Sequence, residues 1–248
     1  MCPILLKTPW FTIYAYGTFL ALGYGIGSWW TVRRCRDAGL PWEKAQDLLV
    51  NMLIAGVLGS RLFHVIFEWP TYRNDLMGFF RLQDGGLSVL GGIMAALLVI
   101  LYYVKRHGIP FLKFGDMIAP GLCLGLVFGR IGCLFNGCCY GEAAPSWLHG
   151  ILGWSGPGGF RHPTQVYLGL GYLVFLLVWK FFKPTLEGGL FARFVIWYCL
   201  VRFSVEFLRH HKNVYSFGTL NVFQYILIAW GILGLWLLSR EWRGGGAS

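Results

Sequence analysis

The chain has 248 residues, of which 56% are hydrophobic, 18% aromatic and only 13% charged, and its mean hydropathy is +0.57. Soluble domains carry about 25% charged residues, so this composition excludes an ordinary soluble globule and any disordered class. The net charge of +10 would raise nucleic acid as a partner for a soluble protein, but membrane proteins gather Lys and Arg in cytoplasmic loops, and no basic stretch here carries a nucleic-acid-binding module.

A membrane span needs about 20 apolar residues at 1.5 Å rise each. Seven stretches qualify: 10–32, 47–67, 87–104, 116–135, 164–182, 189–208 and 219–239. Backbone polar groups must be satisfied within lipid, so each is read as a helix. The first run is longer than a signal-peptide core of roughly 7–15 residues, and no small-residue cleavage site follows it, so it is read as the first span. The predicted fold is an all-α integral membrane protein of about seven transmembrane helices, one polytopic domain over 1–248.

Seven spans put the termini on opposite sides, and loop charge decides which. One set of segments holds eleven cations (Arg33, Arg34, Arg36, Lys44, Lys105, Arg106, Lys113, Lys180, Lys183, Arg240 and Arg243). The other holds six (Lys7, Arg73, Arg81, Arg161, Arg209 and Lys212). The richer set is expected in the cytoplasm. The N-terminus is then outside, the C-terminus inside, and 68–86, 136–163 and 209–218 face outward. The segment 136–163 is rich in Gly, Pro, Trp and His and reads as a compact extracytoplasmic cap.

Arg61, Arg130, Arg193, Arg202 and Glu206 fall inside the spans. Intramembrane charge costs at least about 2.5–3.5 kcal/mol per residue, so it usually has a role. Arg61, Arg130 and Arg202 each lie about 13–14 residues from a cytoplasmic start, roughly 20 Å up, in the outer half of the bilayer. Tyr16, descending from outside, reaches roughly the same layer. Three cations at one depth suggest a cavity for an anion, and a guanidinium fork matches a lipid phosphate. Arg202, Glu206 and Arg209 share one helical face, where Glu206 is expected to pair with one or both arginines; Arg61 and His64 share another. Structural ion pairing is the competing reading for these charges. Arg193, near the cytoplasmic end, is expected to snorkel.

The seven cysteines, at 2, 35, 123, 133, 138, 139 and 199, are no disulfide framework. Only Cys133, Cys138 and Cys139 cluster. Thiolate clusters bind zinc, but no His at ligand spacing completes such a set, and no metal is expected. A disulfide between Cys133 and one of the other two is compatible with an oxidising outer face. Small packing residues beside a helix end is the reading adopted.

GRIGCLFNGCCYG at 129–141 resembles the signature of the prolipoprotein diacylglyceryl transferases. Five further elements agree with that family in order: Tyr16-Gly17, GSRLFHVIFE at 59–68, DGGLSVLGG at 84–92, RHPTQVY at 161–167 and RFSVEFLR at 202–209, with DMIAPGLCLGLVFGR at 116–130 leading into the signature. The resemblance covers nearly the whole chain. It implies an enzyme of the bacterial inner membrane, its active site facing the outer leaflet. Such an enzyme moves the diacylglyceryl group of phosphatidylglycerol to the lipobox cysteine thiol of a preprolipoprotein, without metal or organic cofactor. It implies Arg130 and Arg202 as catalytic arginines, and Tyr16, Arg61, Asn136, Gly141, His162, Gln165, Glu206 and Arg209 as substrate-binding positions. The alternative readings are a divergent member with another lipid group or acceptor, and a non-catalytic phospholipid-binding protein.

The chain departs from the family pattern at chemically important places. The family His of the Gly-Gly-Leu-Ser-x-His-Gly-Gly element is Leu90, the first signature Asn is Cys133, the signature Glu is Cys138, and the position after Tyr167, often Glu, is Leu168. His64 is a candidate substitute base. His162, before Pro163, is more simply a residue that orients the start of the fifth span. A cationic cavity that lowers the substrate thiol pKa would make a base dispensable.

Overall fold

The computed structural model describes residues 3–8, 12–73, 76–80, 86–108, 110–148, 155–156, 159–182, 187–209 and 216–244. Its helices are α1 (Ala15–Asp37), α2 (Trp42–Phe67), the single turn α3 (Trp69–Tyr72), α4 (Val89–His107), α5 (Phe111–Asn136), α6 (Thr164–Val178), α7 (Gly189–Glu206) and α8 (Val222–Gly244). Five of them, α2, α4, α5, α8 and α6 with its 3₁₀ extension Trp179–Phe181, are long and apolar enough to cross a membrane. α1 is diluted by Gly, Tyr and Trp and ends on Arg33, Arg34, Arg36 and Asp37, while α7 carries Arg193, Arg202 and Glu206. The helical membrane character expected from composition is therefore present.

Element edges differ from the hydropathy windows. The first window begins at residue 10, but α1 begins at Ala15, because Thr12–Tyr14 (β2) pairs antiparallel with Ile4–Lys7 (β1). β-branched and aromatic residues favour such a ladder. α1 and α2 also run into charged residues beyond their apolar stretches, since helix propensity does not stop where hydropathy does. Two further hairpins, Ser155–Gly156 (β3) with Gly159–Phe160 (β4) and Ser216–Phe217 (β5) with Leu220–Asn221 (β6), have no hydropathy signal at all. Trp10, Arg81, Asp84, Gly85, Lys183, Lys212 and the tail from Gly245 lie outside the described residues.

The chain packs as two compact units, residues 1–31 with 112–248, and residues 32–111. In the first, the core joins α5, α6, α7 and α8 through Ala119, Cys123, Leu168, Tyr172, Phe175, Phe194, Cys199 and Leu227. α1 lies directly on α5. A methyl group added at Gly121 would sit 2.5 Å from the Gly27 carbonyl oxygen and 2.6 Å from Thr31 Oγ1, so the two backbones touch. Gly23, Gly27 and Thr31 recur every four residues, the small-residue spacing that lets membrane helices approach closely. Phe19 and Phe135 stack at 5.1 Å toward the other end of this seam. The buried Asp116 of α5 accepts from the Gly188 and Phe191 amides at 2.7 and 2.8 Å, satisfying the start of α7 where the helix dipole favours a carboxylate. α8 opens on a reciprocal cap: the Gln224 amide donates to Asn221 Oδ1, and the Asn221 amide to Gln224 Oε1.

In the second unit α2 and α4 form the principal pair, again through small residues, with a methyl group at Gly59 meeting the Gly91 carbonyl oxygen at 2.8 Å. Arg61, 1% exposed, organises the C-terminal end of α2. Its Nε donates to the Phe79 carbonyl, Nη1 to Gly86 and Nη2 to Gly78, and its guanidinium lies over the Tyr72 ring. The structural reading of Arg61 thus takes a specific form, with three backbone carbonyls among its partners.

Candidate functional site

The site-bearing motifs of the first unit converge where α5 and α7 end and α6 begins. α5 closes with Gly137 in the left-handed region (φ 69°), its amide on the Leu134 carbonyl and the Cys138 amide on that of Cys133. This is the helix-ending arrangement that glycine permits. Cys139 follows at φ 63°, the one non-glycine residue with positive φ among those described. Such a residue costs about 1–2 kcal/mol and persists only where its surroundings hold it. They do: Thr164 Oγ1 donates to the Cys139 carbonyl and Gln165 Nε2 to that of Cys138, and both side chains are fully buried at the start of α6.

The chain then threads between two partners. Gly141 donates to the His162 carbonyl at 2.8 Å, His162 to the Glu142 carbonyl at 3.0 Å, and Glu142 to the Leu208 carbonyl at 2.9 Å. Gly141 is crowded on every side. A methyl group there would lie 2.8 Å from His162 Cβ and 2.9 Å from Thr164 Cγ2, and closer still to the Leu208 carbonyl oxygen. Arg161 reaches the Gly141 carbonyl and lies over the Tyr140 ring. The His162 ring meets the Tyr167 hydroxyl, in the first turn of α6, at 3.3 Å.

Glu206, 2% exposed, ends α7. It holds Arg202 at 2.5 Å and Arg209 at 3.8 Å, and Asn221 reaches it at 3.4 Å. The pairing expected from the shared helical face is present with both arginines. Arg193 donates to the Gly189 carbonyl at 2.9 Å at the opposite end of α7. Arg130, half-buried in the penultimate turns of α5, packs beside Gly169. Among the described residues no carboxylate pairs with it. Tyr16, 39% exposed, lies against Gly132 in the first turn of α1. Asn136 is exposed at the very end of α5.

One feature escaped the sequence and a second was only partly legible in it. Tyr172 is fully buried on α6, feels the charges of both Arg130 and Arg202, and its hydroxyl has no hydrogen-bond partner among the described residues. It is four residues beyond Leu168 on the same helical face, but hydropathy treats it as one more aromatic. The second is the arrangement of the clustered cysteines, which the sequence reads as packing residues. The Sγ atoms of Cys133, Cys138 and Cys139 all lie within 4.8 Å of one another, as free thiols. Hydrogen bonds from Cys133 and then Cys138 hold the Cys139 thiol well below the ordinary cysteine range, and the charges of Arg209 and Arg130 act in the same direction. The positive φ at Cys139 that folds the thiols together has no sequence signature.

In the second unit His64 is half-buried, edge-on to Tyr72 at 5.9 Å and directly against Gly86. Leu90, in the position of the family His, is exposed on the first turn of α4.

Fold and site together define a multi-pass helical membrane protein that gathers two arginines, a buried phenol and three thiols at one end of its larger unit. Comparison with known proteins narrows this. Residues 3–240 match the family model for prolipoprotein diacylglyceryl transferase. Proteins named phosphatidylglycerol–prolipoprotein diacylglyceryl transferase are each 30% identical to the chain. That of Shouchella clausii aligns over 93% of this chain and 87% of its own length, that of Geobacillus kaustophilus over 92% and 89%, and that of Bacillus cereus strain G9842 over 91% and 86%. The chain belongs to the prolipoprotein diacylglyceryl transferase family.

Proposed function

We propose that the protein transfers the diacylglyceryl group of phosphatidylglycerol to the lipobox cysteine of preprolipoproteins, with Arg130 and Arg202 as its phosphate-binding and catalytic arginines. The observation that carries this assignment is the unequal state of the two guanidiniums. Arg202 is fixed by the buried Glu206, whereas Arg130 has no carboxylate among the described residues. One positioned cation beside one with no carboxylate among the described residues suits a phosphodiester and the extra negative charge that develops as it leaves. The thiolate attacks a glycerol carbon, the carbon–oxygen bond breaks toward phosphate, and glycerol phosphate departs. The Tyr172 hydroxyl, beside both arginines, donates to a phosphate oxygen. Tyr16, on the outer turn of α1, and Asn136, at the end of α5, border the lipid. Gly141, His162, Gln165 and Arg209 bind substrate less directly, by fixing the turn that follows α5 against α6 and α7. Arg61 acts as an anchor for Gly78, Phe79 and Gly86, and His64 remains the candidate base of the second unit.

In the membrane, α1 and α7 join the five apolar helices to give seven spans in the bacterial inner membrane. The N-terminus and the 136–163 cap lie outside, and the C-terminus lies in the cytoplasm. The eleven-to-six distribution of loop cations supports this orientation. The site then opens toward the outer leaflet, where lipid and secreted peptide meet.

The test is transfer from phosphatidylglycerol to a lipobox peptide by purified Arg130→Ala and Arg202→Ala proteins that retain the wild-type gel-filtration profile and helical circular dichroism. Both lose transfer by at least about 100-fold, the effect of deleting a donor to developing charge. Full turnover by either removes the phosphate-site assignment.

A further inference from the structure

The three thiols at the end of α5 are built as a ligand set. Cys133 is 6% exposed in the last turns of the helix, and Cys138 and Cys139 return to it through the left-handed Gly137 and the strained Cys139. Three hydrogen bonds lock that turn: Cys138 amide to Cys133 carbonyl, Gln165 to the Cys138 carbonyl, and Thr164 to the Cys139 carbonyl. The sulfurs lie within 4.8 Å of one another. At a metal–sulfur distance of about 2.3 Å, three thiolates on one ion stand roughly 3.8–4.0 Å apart, so closure needs a contraction of under about 1 Å. No His, Asp or Glu joins the set among the described residues. Structural zinc sites are closed by four protein ligands, whereas three ligands with an open position is the pattern of catalytic zinc. A zinc trithiolate carries one net negative charge, and Arg130 and Arg209 stand near enough to Cys139 to offset it.

We infer that Cys133, Cys138 and Cys139 bind one zinc ion, and that its fourth position takes the acceptor cysteine of the peptide substrate. The second half of this inference rests on the transferase reading above; the first does not. The chemistry balances without a redox step. The peptide thiol binds as thiolate and releases its proton to water, because a thiol coordinated to zinc is deprotonated outright. A sulfur lone pair forms the bond to the glycerol carbon, and the carbon–oxygen electron pair leaves on glycerol phosphate. The thioether product, neutral and a weaker ligand, dissociates, and zinc stays divalent throughout. A metal-held thiolate needs no side-chain base, which accounts for a Leu at position 90 in a chain that keeps both arginines.

The experiment loads the detergent-purified full chain with zinc, and separately with cobalt(II) as a spectroscopic substitute. Wild-type protein is expected to retain one zinc per chain after desalting. Its cobalt form should show thiolate-to-cobalt charge transfer in the near ultraviolet, and lipobox peptide, but not the Cys→Ser peptide, should shift the visible cobalt bands. The Cys138→Ser/Cys139→Ser protein loses both signals. Removing zinc lowers lipid transfer at least tenfold, and adding it back restores the rate. Wild-type protein with no zinc above the Cys→Ser background overturns the site, as does an intact-mass shift showing a Cys133 disulfide in place of metal. Bound zinc with transfer unchanged after its removal overturns the role in activating the acceptor. A cobalt spectrum that responds to peptide thiol, with no transfer by any form of the protein, supports the metal site while sinking the transferase reading.

Discussion

Gly141→Ala is the substitution whose consequence the structure determines most closely. The added methyl group would lie 2.8 Å from His162 Cβ and 2.9 Å from Thr164 Cγ2, and it would press on the Leu208 carbonyl oxygen. Two of these three atoms are backbone or β-carbon positions that no rotamer change can move. The segment 141–144 must therefore shift by about 1 Å, at the roughly 1–3 kcal/mol typical of over-packing. That shift strains the Gly141–His162 and Glu142–Leu208 hydrogen bonds, each worth about 1 kcal/mol. It also separates the turn bearing Cys138 and Cys139 from the helix end bearing Arg202 and Glu206. A misplacement of about 1 Å is enough to lower turnover about 100-fold. The assay pairs thermal unfolding in detergent with lipid transfer to a peptide, using Gly25→Ala as control, since a methyl group at Gly25 meets nothing within 4 Å. A Gly141→Ala protein within twofold of wild-type turnover, with an unchanged unfolding midpoint, would refute the reasoning.

Other substitutions separate positioning from chemistry. Glu206→Ala leaves Arg202 buried without its counter-charge and should destabilise by about 3–5 kcal/mol, read as a lowered unfolding midpoint. Glu206→Gln, which keeps an acceptor for Asn221 and Arg202, should recover more than half of that loss. Tyr172→Phe should leave stability unchanged or slightly raised, because the hydroxyl has no partner among the described residues, while turnover falls about 10- to 100-fold. Arg61→Ala removes three charge-assisted bonds to carbonyls and should loosen residues 76–80 by about 3 kcal/mol or more, read as faster amide exchange across that segment. Leu90→His should be tolerated or raise turnover, because the side chain is exposed on the first turn of α4; a severe loss in the transfer assay would mean that an apolar residue is required there.

Composition and hydropathy were sufficient for the helical membrane character, because apolar length is a property each segment carries by itself. They placed helix ends poorly. The start of α1 depends on β1 finding Thr12–Tyr14, and the start of α2 on residues as charged as Glu43 and Lys44 continuing a helix. The Arg202–Glu206–Arg209 arrangement was legible because helical spacing alone brings those side chains together. Arg61 was legible as a buried charge but not as a ligand of carbonyls, since its partners come from a segment 17 to 25 residues away. The thiol cluster depends on one backbone angle at Cys139, and Tyr172 matters only through the arginines of neighbouring helices. The cysteines cluster already in the sequence, but the convergence of their thiols and the setting of Tyr172 require the fold.

The central claim is lipid transfer itself, and the direct measurement uses the purified wild-type protein with phosphatidylglycerol and a synthetic lipobox peptide. The account predicts a diacylglyceryl mass gain on the peptide cysteine, stable to hydroxylamine as a thioether is, with one glycerol phosphate released per peptide modified. Intact phosphatidylglycerol and unmodified peptide after prolonged incubation with folded, metal-loaded protein would contradict it.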